Sequence, residues 1–468
     1  MDFDALIPEE AREIGARIEA AGGEAFLVGG WVRDVMRGVT PKDVDIATDL
    51  PPDRVAAAVR GLGSVYDFGA DHGTIGVAFR DGGPIIEITT YRSDVYDTDS
   101  PAHRAKEIAF VDNIEEDLVR RDFTVNAMAV SLAPEPGRLV DPYRGARDIE
   151  RRVIRTPRSP AKTVCEDPLR MMRAVRFAAE LGFEIHGPLR EEIAKKADTL
   201  EGISRERRRD ELERLLVSPN PDGGIRDLLS LGLMVHVVPE FLEVPGIEQP
   251  RKLERSDLLE HTLHALAYVR PDPLLRRAVF FHDIGKPSTM ATEPKLSFHQ
   301  HDSVGAQLTR KAMSRLRYSH EDIDNTSFLV FRHMYPFAYR PDWNERAVRR
   351  FIRACTHMRN GEVAVPLEYV LEMARADIEG GNAADAPKVR ARLNELVERV
   401  DAVREQDSII RAVSPLDGNE LMEAFGREPG PWLREVKDHL VELVVDGDLG
   451  QDDKEAALER ARGFLEYS

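Results

Sequence analysis

The sequence predicts an α+β protein with a mixed sheet and helices in residues 1–145 and an otherwise all-helical remainder. Two observations carry this. Short apolar runs of strand length, at Phe26–Val28, Asp43–Ile46, Thr74–Phe79 and Ile85–Thr90, crowd into the first ninety residues, separated by Gly- and Pro-containing turns such as 81–84. Beyond about residue 145, helical periodicity takes over, as in Leu169, Met172, Val175 and Ala179 and in the Ser-capped stretch from Ser204 to Leu216. At 468 residues the chain has room for several cores, and four divisions are expected: a head (1–145), a neck (146–225), a third domain (226–385) and a tail (386–468).

In the head, residues 8–21 read as an amphipathic helix with Ile14 and Ile18 on one face, ended by Gly22-Gly23. Phe26–Val28 reads as a buried strand that stops at Gly29-Gly30, where backbone N–H groups can approach a phosphate with no Cβ in the way. Residues 31–37 then begin a helix whose N-terminus and Arg33 suit a triphosphate. In Asp43-Val44-Asp45-Ile46, read as a strand, the two aspartates share one face. Adjacent carboxylates repel unless a cation neutralises them, and hard oxygen ligands suit Mg²⁺, the requirement of metal-assisted phosphoryl and nucleotidyl transfer. Glu87, in the Ile85–Thr90 strand, is either a third carboxylate of that site or a solvated edge residue. Helices on one side of the sheet are expected, and the polar stretch 93–111, with His103, Arg104 and Lys106, reads as a mobile loop.

Composition sets bounds. A net charge of −18, with 32% charged and 42% hydrophobic residues, describes an ordinary globular chain and argues against general nucleic-acid affinity. Residues 147–214 depart from this, with 17 Lys/Arg against 14 Asp/Glu, so RNA contact would be confined to such local surfaces. Cys165 and Cys355 form no metal or disulfide pattern, and no apolar run spans a bilayer. A cytoplasmic location without membrane contact is expected.

Taken together, Gly29-Gly30, Arg33, Asp43 and Asp45 resemble the signature of the nucleotidyltransferase superfamily that includes polymerase β-like enzymes. They look most like the bacterial class II tRNA nucleotidyltransferases and poly(A) polymerases. The segment Asp117–Ala129 (DLVRRDFTVNAMA) is similar to that family's second motif, which implies ribose and triphosphate contacts for Arg121, Asp122 and Asn126. Asp141–Gly145 resembles the flexible third motif. Glu166-Asp167-Pro168-Leu169-Arg170 matches the EDxxR motif, a protein template for CTP and ATP.

A carboxylate can accept from the exocyclic amino group of cytosine or adenine while a guanidinium donates to the ring nitrogen. Asp167 and Arg170 would therefore read either base and reject uracil and guanine. Arg173 and Arg176 recur at three-residue spacing after Arg170 and join the candidate nucleotide-binding set. Ser204–Leu216 resembles a last neck motif that braces the template helix.

The back half carries an ordered series, His261, His282-Asp283, His301, His333 and Asp377, which resembles the HD metal-dependent phosphohydrolase domain. The resemblance implies His261, His282, Asp283 and Asp377 as ligands of a divalent metal, with His301 and His333 completing a second site or binding phosphate. His299 competes with His301, and Asp377 is the least specific assignment. Gly285 is expected to stop the apolar helix that precedes His282. The implied function is addition of CMP, CMP and AMP to a tRNA 3′ end from CTP and ATP, with an accessory HD hydrolase. The alternatives are a CC-adding, A-adding or poly(A)-adding enzyme, or an HD phosphohydrolase with a degenerate nucleotide-sensing head.

Overall fold

The computed structural model describes residues 1–67, 73–79, 85–96, 105–248, 257–381, 385–406 and 413–467. The turn expected at 81–84 and residues 97–104, with His103, Arg104 and the side chain of Lys106, lie outside the described residues. The described parts of the stretch expected as a mobile loop over 93–111 are instead paired strands, Arg92–Tyr96 and Ala105–Phe110, held by an antiparallel ladder. The chain forms two compact units, residues 1–239 and 240–468.

The first unit is built on a seven-stranded sheet. Its strands are β1 (Ala25–Val28), β2 (Asp45–Thr48), β3 (Gly63–Asp67), β4 (Thr74–Phe79), β5 (Ile85–Thr90), β8 (Ala129–Ala133) and β9 (Leu139–Val140). A separate hairpin pairs β6 (Arg92–Tyr96) with β7 (Ala105–Phe110). The order is β3-β4-β5-β2-β1-β8-β9, with β2 and β5 parallel and the other neighbours antiparallel, so the sheet is mixed as expected.

All four residues of β1 are buried because both faces of the sheet are covered. Leu27, Ile46, Ile88 and Val130 pack with Ile14, Ile18, Trp31 and Val55, while Phe26, Val28 and Ala47 pack with Tyr91, Ile114 and Leu118. Each large side chain so buried contributes about 1.5–3 kcal/mol. The helices Glu9–Ala20, Gly30–Met36 and Pro52–Ala58 lie against the first face, but Ile114–Val119 lies against the second. That corrects the expectation of helices on one side: the four consecutive apolar residues of β1 point alternately to both faces and require a cover on each. β2 also begins later than expected, at Asp45, so that Asp43 precedes the strand and is exposed.

The neck is helical: Pro160–Glu166, Leu169–Leu181, Gly187–Lys196, Arg205–Leu216 and Pro221–Ser230. A two-residue parallel pair, Val153–Ile154 with Glu184–Ile185, interrupts it. Leu169, Met172, Val175 and Ala179 are buried along one face of the Leu169–Leu181 helix. In the 141–145 segment the Asp141 carboxylate accepts from the N–H groups of Gly145 (2.6 Å) and Ala146 (3.0 Å) at the start of the Gly145–Arg151 helix.

Among its described residues the second unit is helical apart from two short hairpins and an isolated bridge between Glu248 and Asp257. Its last part has its own small core of Leu416, Leu421, Val436, Leu440, Leu449, Ala457 and Ala461. Among the described residues, no helix is long and apolar enough to cross a membrane.

Candidate active site and metal centre

Two loci emerge, one in each unit. The first begins at Gly29, whose φ of 65° and ψ of −123° suit glycine alone, and where a Cβ would lie 3.0 Å from Nη1 of Arg121. The glycine thus allows the strand to turn into the Gly30–Met36 helix while Arg121 closes over the turn. On the neighbouring strand Asp45 pairs in register with Glu87 of β5. Burial raises the pKa of Asp45, Arg121 pulls it back, and the charges of Glu87 and Asp43 raise it further. Asp45 thus feels the charges of Glu87 and Asp43 with Arg121 beside it, while Asp43 and Glu87 are exposed and, among the described residues, the three carboxylates are not drawn together into one group of ligand atoms. Glu87, open to two readings in the sequence, is placed by register beside Asp45.

Arg121 is itself held by the buried carboxylate of Asp117, at 3.0 Å from Nη2, while Arg120 takes the other oxygen at 2.7 Å. Burial opposes ionisation of Asp117, but the two guanidiniums win and its pKa is lowered.

A second chain of contacts runs from the Gly-Gly turn to the neck. Arg33 donates through Nε and Nη2 to Asp34 and through Nη1 to Oδ1 of Asn126 at 2.8 Å. Asn126 Nδ2 donates to Oδ1 of Asp122 at 3.0 Å, and Asp122 Oδ2 accepts from Nε of Arg173 at 2.9 Å. Burial would raise the Asp122 pKa, yet Arg173 and the Asn126 amide hold it at about 2. Arg33, Asp122, Asn126 and Arg173, scattered through the sequence, form one network.

Asp167 and Arg170 share a turn, in which the N–H of Arg170 donates to the Asp167 carbonyl at 2.9 Å, and each side chain has partners elsewhere. Asp167 Oδ1 accepts from the N–H of Leu169 (3.0 Å), and Oδ2 accepts from Arg207 (2.8 Å). Its carboxylate thus acts at the start of the Leu169–Leu181 helix. Arg170 donates to Glu166 at 3.0 Å and to the backbone oxygens of Thr163 (3.3 Å) and Arg120 (2.8 Å), which ties the neck to the head. The bracing expected of the 204–216 segment is present, since Arg207 holds Asp167 and Glu211 holds Arg176.

Arg176 is the residue that the geometry separates from the candidate nucleotide set. It is 1% exposed, donates to Glu211 (2.6 Å) and Glu180 (2.7 Å), and lies over the Phe177 ring at 4.1 Å. At three-residue spacing it rotates steadily away from Arg170 around the helix and ends in the helix–helix interface. Glu166 stood in the matched motif without a role, and its link to Arg158 (2.7 Å) left no trace in the spacing. The Asp117–Arg121 contact could have been found from its i,i+4 spacing.

In the second unit, His261 lies in the Leu258–Tyr268 helix and His282-Asp283 follow the Pro273–Phe281 helix. His301 begins the His301–Arg315 helix, His333 ends His320–Arg332, and Asp377 lies in Leu367–Gly381. All six converge. His261 Nε2 is 2.9 Å from Asp377, 3.3 Å from Asp283 and 3.2 Å from Nε2 of His282. His301 and His333 bring their Nε2 atoms to 3.2 Å, at 3.6 and 3.8 Å from Asp283. The ligand atoms form two groups that share Asp283, one with His261, His282 and Asp377 and the other with His301 and His333. Asp377 is thus placed with the histidines, while His299 is exposed and outside the cluster.

The tautomers explain why a cation fits. His282, His301 and His333 each place Nδ1 within 2.6–2.8 Å of a backbone carbonyl, of Val279, Phe298 and Val330 respectively. A carbonyl accepts only, so each Nδ1 carries the proton and each Nε2 presents a lone pair to the centre. Facing lone pairs at 3.2 Å repel unless a positive charge lies among them. Burial would lower the pKa of His261, but Asp283 and Asp377 lift it to about 9. Burial and the neighbouring His282 push His333 down to about 4.

Gly285 plays a different part from a helix stop. Its φ is −82°, and a Cβ there would meet the His301 carbonyl oxygen at 2.2 Å and the Gly305 nitrogen at 2.6 Å. Its bare Cα lets the His-Asp turn press against the helix that bears His301.

Comparison with known proteins agrees with this division. Residues 25–155 match the family described as Poly A polymerase head domain, 182–244 match Probable RNA and SrmB- binding site of polymerase A, and 259–393 match HD domain. The chain is 34% identical to the A-adding tRNA nucleotidyltransferase of Deinococcus radiodurans over 94% of its own length and 95% of that protein's. It is 40% identical to the CCA-adding enzyme of Bacillus pumilus over 49% of this chain and 53% of the relative, so that match spans about half of each. Among solved structures, the Bacillus stearothermophilus CCA-adding enzyme in complex with CTP superposes with a TM-score of 0.67 at 26% identity, covering 98% of this chain and 99% of that one. With near full-length identity of this order and the carboxylate, arginine and histidine constellations in place, the chain belongs to the tRNA nucleotidyltransferase and poly(A) polymerase family.

Proposed function

We propose that this protein adds CMP, CMP and AMP to the 3′ end of tRNA from CTP and ATP, without a nucleic-acid template, in the cytoplasm. The observation that carries the reading is the register of Asp45 with Glu87, with Arg121 over the Gly29 turn beside them. Mg²⁺ held by Asp43, Asp45 and Glu87 would supply charge neutralisation between the tRNA 3′-hydroxyl and the nucleotide α-phosphate. The backbone of Gly29-Gly30, Arg33 and Arg121 would orient the triphosphate, and pyrophosphate would leave. Asp122 and Asn126, locked to Arg173 and Arg33, would present fixed hydrogen-bonding groups to the ribose.

Asp167 and Arg170 would read the base. Two carboxylate oxygens offer about four lone-pair sites. The N–H of Leu169 and the guanidinium of Arg207 take one each, which leaves capacity for an exocyclic amino group. In this reading residues 1–145 transfer the nucleotide, 146–225 read it, 226–385 hold the His-Asp centre, and 386–468 form the tail. The His-Asp centre would bind divalent metal for phosphohydrolysis.

A-only addition is the second reading, supported by the Deinococcus radiodurans relative that spans nearly the whole chain. Two tRNA substrates separate the readings, one lacking CCA and one ending in CC, each given labelled CTP, ATP or both. Three additions to the first substrate that need both nucleotides support the proposal. Extension of the CC-ending tRNA by ATP alone, with no use of CTP, would replace it with A-addition. Incorporation that survives Asp45→Ala would sink both.

A further inference from the structure

The segment between the head and the template helix supplies a residue that none of the motifs contains. Arg158 follows the short Val153–Ile154 strand in a turn fixed at both ends. The Arg155 carbonyl accepts from the N–H of Thr124, and the Thr156 hydroxyl donates to the Arg158 carbonyl, at 2.8 and 2.7 Å. From there Nη1 of Arg158 reaches Oε1 of Glu166 at 2.7 Å, while Oε2 of the same carboxylate takes Nη1 of Arg170 at 3.0 Å. Glu166 is only 8% exposed, and its two oxygens each meet one of these guanidiniums.

This division of one carboxylate has a consequence for Arg170. Glu166 and Arg170 are four residues apart, a spacing at which carboxylate and guanidinium readily form a bidentate fork. A fork would draw both oxygens onto Arg170 and turn the plane of its guanidinium towards Glu166. Arg158, by holding Oε1, limits Glu166 to one contact. The plane of Arg170 is then set jointly by Glu166, by the Thr163 carbonyl and by the Arg120 carbonyl of the head.

We propose that Arg158 is a positioning residue for base selection, which keeps Glu166 from capturing Arg170 and so holds the Arg170 guanidinium in its reading plane. The proposal rests on the assignment of Asp167 and Arg170 as base readers. It concerns specificity and not the transfer step, since Arg158 acts on the neck and not on the carboxylates of the sheet.

The test measures kcat and KM for CTP and ATP, together with incorporation of UTP and GTP, in the full-length enzyme. Variants are Arg158→Met, Arg158→Lys, Glu166→Gln, the double variant Arg158→Met/Glu166→Gln, and Arg170→Ala as a reference. Arg158→Met is expected to raise KM for the correct nucleotides on the order of tenfold, the effect of one lost charge-assisted hydrogen bond, and to narrow the gap to UTP and GTP. Arg158→Lys should restore most of the discrimination, because an ammonium can still hold Oε1. In the Glu166→Gln background the Met substitution should add little, because no carboxylate remains to capture Arg170. Loss of thermal stability or kcat with discrimination unchanged would reduce Arg158 to a structural contact and overturn the proposal. If Arg170→Ala itself keeps full discrimination, the base-reader assignment fails instead.

Discussion

Arg33 and Asn126 are joined by a 2.8 Å hydrogen bond that links the helix after the Gly-Gly turn to the 3-10 turn Thr124–Asn126. Through Asn126 the link continues to Asp122 and Arg173, so the triphosphate side of the site and the neck share one polar network. Such networks hold their members within a narrow range of positions, and removing one member leaves buried groups unpaired.

Asn126→Ala should therefore raise KM for CTP and ATP by similar factors, on the order of tenfold. The network faces the parts common to both nucleotides, so the ratio between them should hold. Steady-state kinetics with each nucleotide checks this, and a change confined to one of them would contradict it.

Asp122 gives a prediction in pH. Its folded pKa of about 2 lies below the ordinary 3.8, so it stabilises the fold above about pH 4 and loses that contribution as pH falls towards 2. The difference corresponds to about 2 kcal/mol at neutral pH, falling to roughly half of that at pH 3. Urea unfolding of Asp122→Asn and its parent, followed at Trp31 after Trp343→Phe and Trp432→Phe, reads the first unit alone. A deficit that does not shrink between pH 7 and pH 3 would assign the effect to packing.

The shared position of Asp283 predicts metal stoichiometry. Counted in an Asp45→Ala background, so that the head carboxylates contribute no site, the second unit should bind two divalent ions, His333→Ala one, and Asp283→Ala none with comparable affinity, by calorimetry with Mn²⁺. Chelation should lower the melting temperature of the second unit and leave the tRNA-directed reaction of a Mg²⁺-restored enzyme unchanged. Equal binding by Asp283→Ala would refute a shared ligand.

Gly285→Ala should destabilise the second unit by about 1–3 kcal/mol, the usual cost of overpacking, and weaken metal binding with it. Both clashing atoms are backbone, so no side-chain rotation relieves them. Gly418, with open space around it, is the control: Ala there should be nearly neutral. Differential scanning of the two variants against the parent makes the comparison.

Much of this was legible in the residues themselves. Strand and helix periods located β4 and β5 to the residue, and the order of histidines and aspartates marked the six groups of the metal centre. These are local properties: period, turn chemistry and ligand type are written residue by residue. The faces of the sheet were less legible, because the four buried residues of β1 do not say which partner covers each side.

What the sequence by itself determined was the class of fold, the residue types of each site and the chemistry they can support. Tertiary structure alone decided their pairings. It set Glu87 beside Asp45 through a parallel register, gave Asp167 to Arg207 and Arg170 to the Arg120 carbonyl, and turned Arg176 into the interior. Each of these depends on how elements distant in the chain approach, and a charged side chain takes whichever partner the packing brings within about 3 Å at the lowest desolvation cost.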